Sequence, residues 1–243
     1  MSWPHPGPGA SPATLTHYDA DDPPESTLAR RLCIRPTTLT IPWCPATVAP
    51  MTSVIEPYVK TRRWRRGEYE RLVELGVFVG ERLELLDGLL VVKEPQGSPH
   101  AAIVGHIGQV LGSAFGPGWH PRIHSPLALD DDSEPEPDVA IVAGAPRDYV
   151  TAHPATAALV VEVADSSLRL DRRLKAGLYA RAGLPEYWIV NLVERALEVH
   201  RHPQRADAES GWVYEAVQIL RPPATVTPLT VPSARIPVAS LLP

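Results

Sequence analysis

Two cysteines in 243 residues, Cys33 and Cys44, leave nothing from which to build a disulfide framework or a cysteine-based zinc site in the globular part of the chain. Methionine is as scarce, and Met51 is the only one after Met1. It stands just before the composition turns globular, so we expect translation to start there; peptides from residues 1–50 in the native protein would overturn this. No apolar run approaches the roughly 20 residues of a membrane span. The N-terminus also lacks the basic-then-apolar order of a signal peptide, so the chain reads as soluble and cytoplasmic, with no membrane partner. A surplus of positive charge is missing too. A net charge of −5 gives no global footprint for nucleic acid, although a local basic patch can still bind a polyanion.

What is present divides the chain unevenly. Ten of the 28 prolines fall in the first 50 residues, with no sustained helical or strand period. Such a segment buries too little to offset its ordering entropy, so residues 1–55 are expected to be a disordered extension and residues 56–243 a single domain. Trp64 to Leu75 has helical spacing and ends before Gly76. The arginines just before it, Arg62, Arg63, Arg65 and Arg66, form the densest basic cluster, which either touches a phosphate backbone or faces water as a helix entrance. Arg82 to Val92 is a hairpin turning at Asp87-Gly88, with Glu84 facing away from Leu83 and Leu85.

Pro99 to Phe115 predicts a helix with Ser98 as N-cap, His100 in its first turn, and a buried stripe of Ile103, Ile107, Val110 and Leu111. His100 is read either as a surface or capping residue or as a group near a bound anion. An extended segment over His120–Asp130 leads to an acidic turn, Asp130 to Glu136, whose charges are expected to be mostly solvated. Strands follow over Val139–Val142 and Ala158–Val163. Ser166 and Ser167 offer caps for a helix over Leu168–Ala182 that Gly183 ends. Leu184–Leu192 is a further strand. Ala196–His200 and Trp212–Ile219 extend the sheet, and the tail docks through Val238, Leu241 and Leu242.

One residue stands out in this order. Glu162 lies inside the aliphatic run VVEV, where a carboxylate carries a desolvation cost unless a cation, a metal or hydrogen-bond donors meet it. A second acid, Asp138, heads the neighbouring strand, and the next helix places Asp171, Lys175 and Tyr179 on one face. Two acids at the ends of adjacent strands suit Mg²⁺, which is commonly held by one or two carboxylates while keeping water. An ammonium nearby would relieve charge on a phosphate. The plain alternatives are an i,i+4 ion pair of Asp171 with Lys175, and capping or arginine pairing for the acids.

Pro137-Asp138 followed by Glu162-Val163, in the order helix, three strands, helix, strand, resembles the PD-(D/E)XK nuclease superfamily. The His100 helix, PDVAIV, VVEVADSS, the Asp171 to Lys175 spacing and AGLPEYWIV together look like the Uma-two family of bacterial restriction-endonuclease-like proteins, over roughly residues 64–243. The resemblance implies an α/β restriction-endonuclease-like core, a mixed β-sheet flanked by helices, with an extra N-terminal helix and hairpin and C-terminal antiparallel strands. It also implies an Mg²⁺- or Mn²⁺-dependent endodeoxyribonuclease with Asp138 and Glu162 as metal ligands, DNA as substrate and a homodimer as the working form. The superfamily's usual lysine place is Ala164 here, and in the Uma-two relatives that lysine is taken to sit on the following helix, which points to Lys175. His100 and Glu84 are possible further site residues. Leu89 and Asn191 stand where relatives often carry acids. The competing readings are a catalytically inert DNA-binding or regulatory module of the same fold, and an unrelated two-carboxylate hydrolase.

Overall fold

Alternation along three short apolar strands builds the centre of the molecule. In the computed structural model, which describes residues 61–206 and 211–243, β3 (Trp119–Ile123), β4 (Val139–Ala143), β5 (Leu159–Ala164), β6 (Glu186–Asn191), β7 (Ala196–Arg205) and β8 (Trp212–Leu220) form one six-stranded sheet in that order. All neighbours are antiparallel except β5 and β6, which run parallel with Glu162 beside Ile189. A parallel pair needs a crossover. Here it is a helix in three parts, Leu168–Leu170, a π-helical turn over Asp171–Lys175, and Ala176–Arg181, together α3.

The two faces of the sheet are covered by different helices. Val139, Ile141, Leu159, Val161, Val163, Trp188 and Val190 pack against α2 (Ser98–Phe115) and the C-terminal segment. Their in-between neighbours Ala140, Val142, Val160, Ala164, Tyr187 and Ile189 pack against Ala176, Tyr179 and Ala180 of α3. Glu162 falls on the α3 face by the same two-residue period. β5 and β6 are buried along their whole length, as strands covered on both faces must be. Gly108 lets α2 lie close to β3, since a Cβ there would come within 2.8 Å of Ile123.

The N-terminal part of the described chain adds α1 (Arg66–Glu74) and the hairpin β1 (Leu83–Leu86) and β2 (Leu89–Val92). Asp87 and Gly88 both have positive φ, 49° and 77°, as a two-residue hairpin turn of this twist requires. Tyr69, Leu83 and Leu85 form a small core of their own. At the other end β9 (Thr225–Val226) pairs with β10 (Ile236–Pro237), and Val238 and Leu241 are buried against the α2 face. No helix among the described residues is long and apolar enough to cross a membrane.

The core order α2, β3, β4, β5, α3, β6 agrees with the sequence reading; several local expectations do not. Gly97, not Ser98, is the N-cap of α2, and Val104 and Phe115 are buried where Ile103 and Val110 are only partly so. Ser167 precedes α3 without capping it, because its hydroxyl donates instead to Asp171 Oδ2 at 2.6 Å. The acidic turn is not a solvated loop: Asp132 pairs with Arg65, Asp130 with Arg181, and Glu134 is buried where its backbone bridges to Leu85. The arginines before α1 are likewise engaged, Arg62 with Glu68, Arg63 with Asp87 and Arg66 with Glu70. The expectations for residues 1–55, including a start at Met51, lie outside the described residues.

Candidate active site

The antiparallel register places the two acids. One step beyond the rung joining Val139 and Val161, Asp138 stands opposite Glu162, and its amide donates to Glu162 Oε2 at 3.4 Å. In return the Val163 amide donates to Asp138 Oδ2 at 2.8 Å. Lys175 reaches back from α3: its ammonium lies 3.0 Å from Glu162 Oε1, 3.4 Å from Glu84 Oε1 and 4.0 Å from Asp171 Oδ1. It is therefore not a plain surface pair with Asp171. Tyr179, one turn further on, donates to the same Glu162 oxygen at 2.8 Å. The π-helical turn widens α3 so that Asp171 and Lys175 both point inward and are buried; such turns often mark functional sites.

Glu84 arrives from the hairpin. Its neighbours Leu83 and Leu85 fill the small core, so the carboxylate points to the opposite side, where the Glu136 amide donates to Oε2 at 3.1 Å. His100, in the first turn of α2, brings Nε2 to 3.4 Å from Asp138 Oδ2 without a hydrogen-bond geometry. All five residues singled out from the sequence, Glu84, His100, Asp138, Glu162 and Lys175, line one cleft of about 480 Å³. Three more polar neighbours escaped the sequence reading: Gln96, which donates to Asp138 Oδ1 at 3.1 Å, His124, and Tyr179 as a partner of Glu162. Only for Tyr179 was there a signal, its i,i+4 spacing from Lys175.

Charge in the cleft is unbalanced. Its lining has six acids, Glu84, Glu94, Asp138, Glu162, Asp165 and Asp171, against Lys93 and Lys175. At the floor, Glu84, Glu162 and Asp171 share one ammonium with Asp138 beside Glu162, and none of these five side chains is more than 6% exposed. Burial pushes the Glu162 carboxyl up to about 8, with repulsion from Asp138, Asp171 and Glu84 adding to it and Lys175 opposing. Burial also raises Asp171 against the pull of Lys175 and Ser167. Burial would lower Lys175, but Glu162, Glu84 and Asp171 outweigh it, and the ammonium is held far above its ordinary range. For Asp138 burial is likewise overcome, by His100, the Val163 amide and Lys175, and its carboxyl stays low.

A surplus of buried carboxylates is a demand for positive charge. The oxygen donors of Asp138 and Glu162 suit a hard divalent cation that keeps part of its water. They do not form a finished cage: among the described residues no three His, Cys, Asp or Glu side chains already surround a metal position.

The sequence profile of the Uma2 family, described as putative restriction endonuclease, matches residues 67–239. The chain belongs to the Uma2 family. Among solved structures, a putative nuclease belonging to DUF820 from Anabaena variabilis is similar to this Uma2 chain at 16% identity with a TM-score of 0.53. The match covers 70% of this chain and 96% of the other, a likeness of fold. No curated protein matches the sequence. Within the Uma2 match lie all five cleft residues named above, together with α1 except Arg66, the hairpin and the strands up to β10.

Proposed function

We propose that this Uma2 protein is a divalent-cation-dependent endodeoxyribonuclease whose active site is the cleft over Asp138, Glu162 and Lys175. The observation that carries the reading is the convergence of three buried carboxylates, Glu84, Glu162 and Asp171, on a single ammonium beside the buried Asp138 at the floor of an open cleft. Asp138 and Glu162 would hold Mg²⁺ or Mn²⁺. When bound, the cation would supply a nucleophilic water at neutral pH and neutralise charge on the scissile phosphate.

The chain's own groups do the rest. Tyr179 and Lys175 fix Glu162 through one oxygen, leaving Oε2 toward Asp138. Val163 and Gln96 hold the Asp138 carboxylate from two sides. Lys175 Nζ, preorganised among carboxylates, offers charge to the phosphoryl oxygens as negative charge develops there. The family match and the fold of the DUF820 nuclease support nuclease chemistry; the dependence on metal, DNA as substrate, a cytoplasmic site of action and a homodimer that cuts both strands are part of the proposal. Supercoiled and linear DNA incubated with Mg²⁺ or Mn²⁺ test it, beside Asp138→Ala and Lys175→Ala. Metal-dependent cleavage by the wild type alone is the expected outcome. Cleavage surviving in both variants defeats the assignment, and DNA binding without cutting favours the inert module.

A further inference from the structure

His124 lies outside the cleft lining, yet it faces the same acid. It is the first residue past β3 and stands opposite Asp138, one step beyond the rung joining Ile123 and Val139. Its amide donates to the Asp138 carbonyl at 3.2 Å. Residues directly opposed on antiparallel strands send their side chains to the same face, and His124 Nδ1 comes to 3.5 Å from Asp138 Oδ1. That nitrogen is buried and has no hydrogen-bond partner. The backbone of His124 is left-handed, with φ at 45°, a conformation that residues with a side chain seldom adopt. A buried nitrogen without a partner and a rare backbone conformation, on one residue beside one carboxylate, both call for an account.

We propose that His124 is a positioning residue for Asp138: with its proton on Nδ1 it donates to Oδ1 and fixes the rotation of the carboxylate that faces the cation. A neutral imidazole carries one proton and can place it on either nitrogen, so a shift of a few tenths of an ångström completes the contact. Gln96 Nε2 already donates to the same oxygen at 3.1 Å, and Val163 holds Oδ2. Together the three donors leave the carboxylate one orientation. Partners that orient a metal-binding carboxylate act without touching the metal, and their loss weakens binding about 10- to 100-fold.

The inference rests on the cation-dependent reading of the cleft. Its test is Mn²⁺ binding by the full chain, followed through the electron paramagnetic resonance signal of the free ion, together with thermal unfolding, for wild type, H124G and H124N. Glycine accepts positive φ at no steric cost and removes the imidazole; asparagine tolerates the same backbone and offers an amide nitrogen in place of Nδ1. The expected result is that H124G melts no lower than wild type yet binds Mn²⁺ about 10- to 100-fold more weakly, whereas H124N retains wild-type affinity. H124G binding as tightly as wild type overturns the role of His124 and leaves the cation site standing, as does H124N binding as weakly as H124G. A wild-type chain that binds no Mn²⁺ overturns the cation site itself and the inference with it.

Discussion

Two groups of buried acids, centred on neighbouring parts of one sheet, have opposite fates. On β6 and β7 every acid is matched. Glu186 accepts from Trp188 Nε1, two nitrogens of Arg201 and the Leu229 amide, and Glu198 accepts from both ends of the Arg172 guanidinium and from Asn191. On β1, β5 and α3, Glu84, Glu162 and Asp171 divide one lysine, with Asp138 beside them at the start of β4. The strands are equally apolar and the acids equally buried, so burial alone does not mark a site. The balance of charge does: a matched acid holds the fold together, and an unmatched one waits for something.

The difference can be broken most strongly from the matched side. Glu186→Ala strips a fully buried acid from Arg201 and is expected to cost about 3–5 kcal/mol of stability with no direct effect on the cleft; urea unfolding measures it. From the other side, Asp138→Asn should lower cleavage about 10²- to 10³-fold, a loss of the size seen when one electrostatic group is removed from an active site, while the midpoint of unfolding falls only modestly, because His100, the Val163 amide and Lys175 hold the Asp138 carboxyl low against burial. Single-turnover assays beside melting curves separate the two effects.

Acid sharpens the contrast next. Burial would raise the Glu198 carboxyl, but His200, Arg172 and Asn191 outweigh it and hold it at about 2, down from 4.5. A carboxyl depressed on folding stabilises the fold above its unfolded pKa, and that stabilisation fades as pH falls from about 4.5 through about 2. It is on the order of 2 kcal/mol, and Glu198→Gln should flatten the acid limb of a stability profile in that window. The smallest effect on stability is expected for Glu162→Gln, which keeps an acceptor for Tyr179 and Lys175 while removing a carboxyl whose ionisation the fold opposes. It should leave the protein about 0.5–2 kcal/mol more stable and unable to cut DNA, and a variant that unfolds more readily than wild type would count against charge surplus at the floor.

The same contrast explains what could be read from the sequence. The acid in VVEV was an anomaly of pattern, and pattern is local, so Glu162 and Asp138 could be found. Glu84 was placed on the correct side of its strand by alternation, but whether that side meets water or a cleft depends on residues half a chain away. Lys175 was reached through the family resemblance, since helical spacing alone allowed a simple pair with Asp171. His124 and Gln96 sit where chain segments end, and no periodicity governs them. The acidic turn reads as mostly solvated, and the arginines before α1 as either phosphate contacts or a solvated helix entrance; each is the other's partner in part, through Arg65 and Asp132, which neither run reveals alone. Serines 98 and 167 have the right side chains for caps, yet Gly97 takes the N-cap position of α2 and the Ser167 hydroxyl is drawn to Asp171.

The π-helical turn in α3 has a consequence for how this protein can change. Such a turn amounts to one extra residue in an α-helix. Insertions and deletions are ordinarily harmless only in loops, yet losing one residue between Asp171 and Lys175 would restore a regular helix and leave the fold intact. Ala176, Leu178, Tyr179 and Ala180 are anchored in the core, so the upstream half, with Ser167 and Asp171, would swing by about 100°. A single-codon deletion at this place would therefore reset which side chains look into the cleft, giving descendants of this sequence a short route to a different site on an unchanged scaffold.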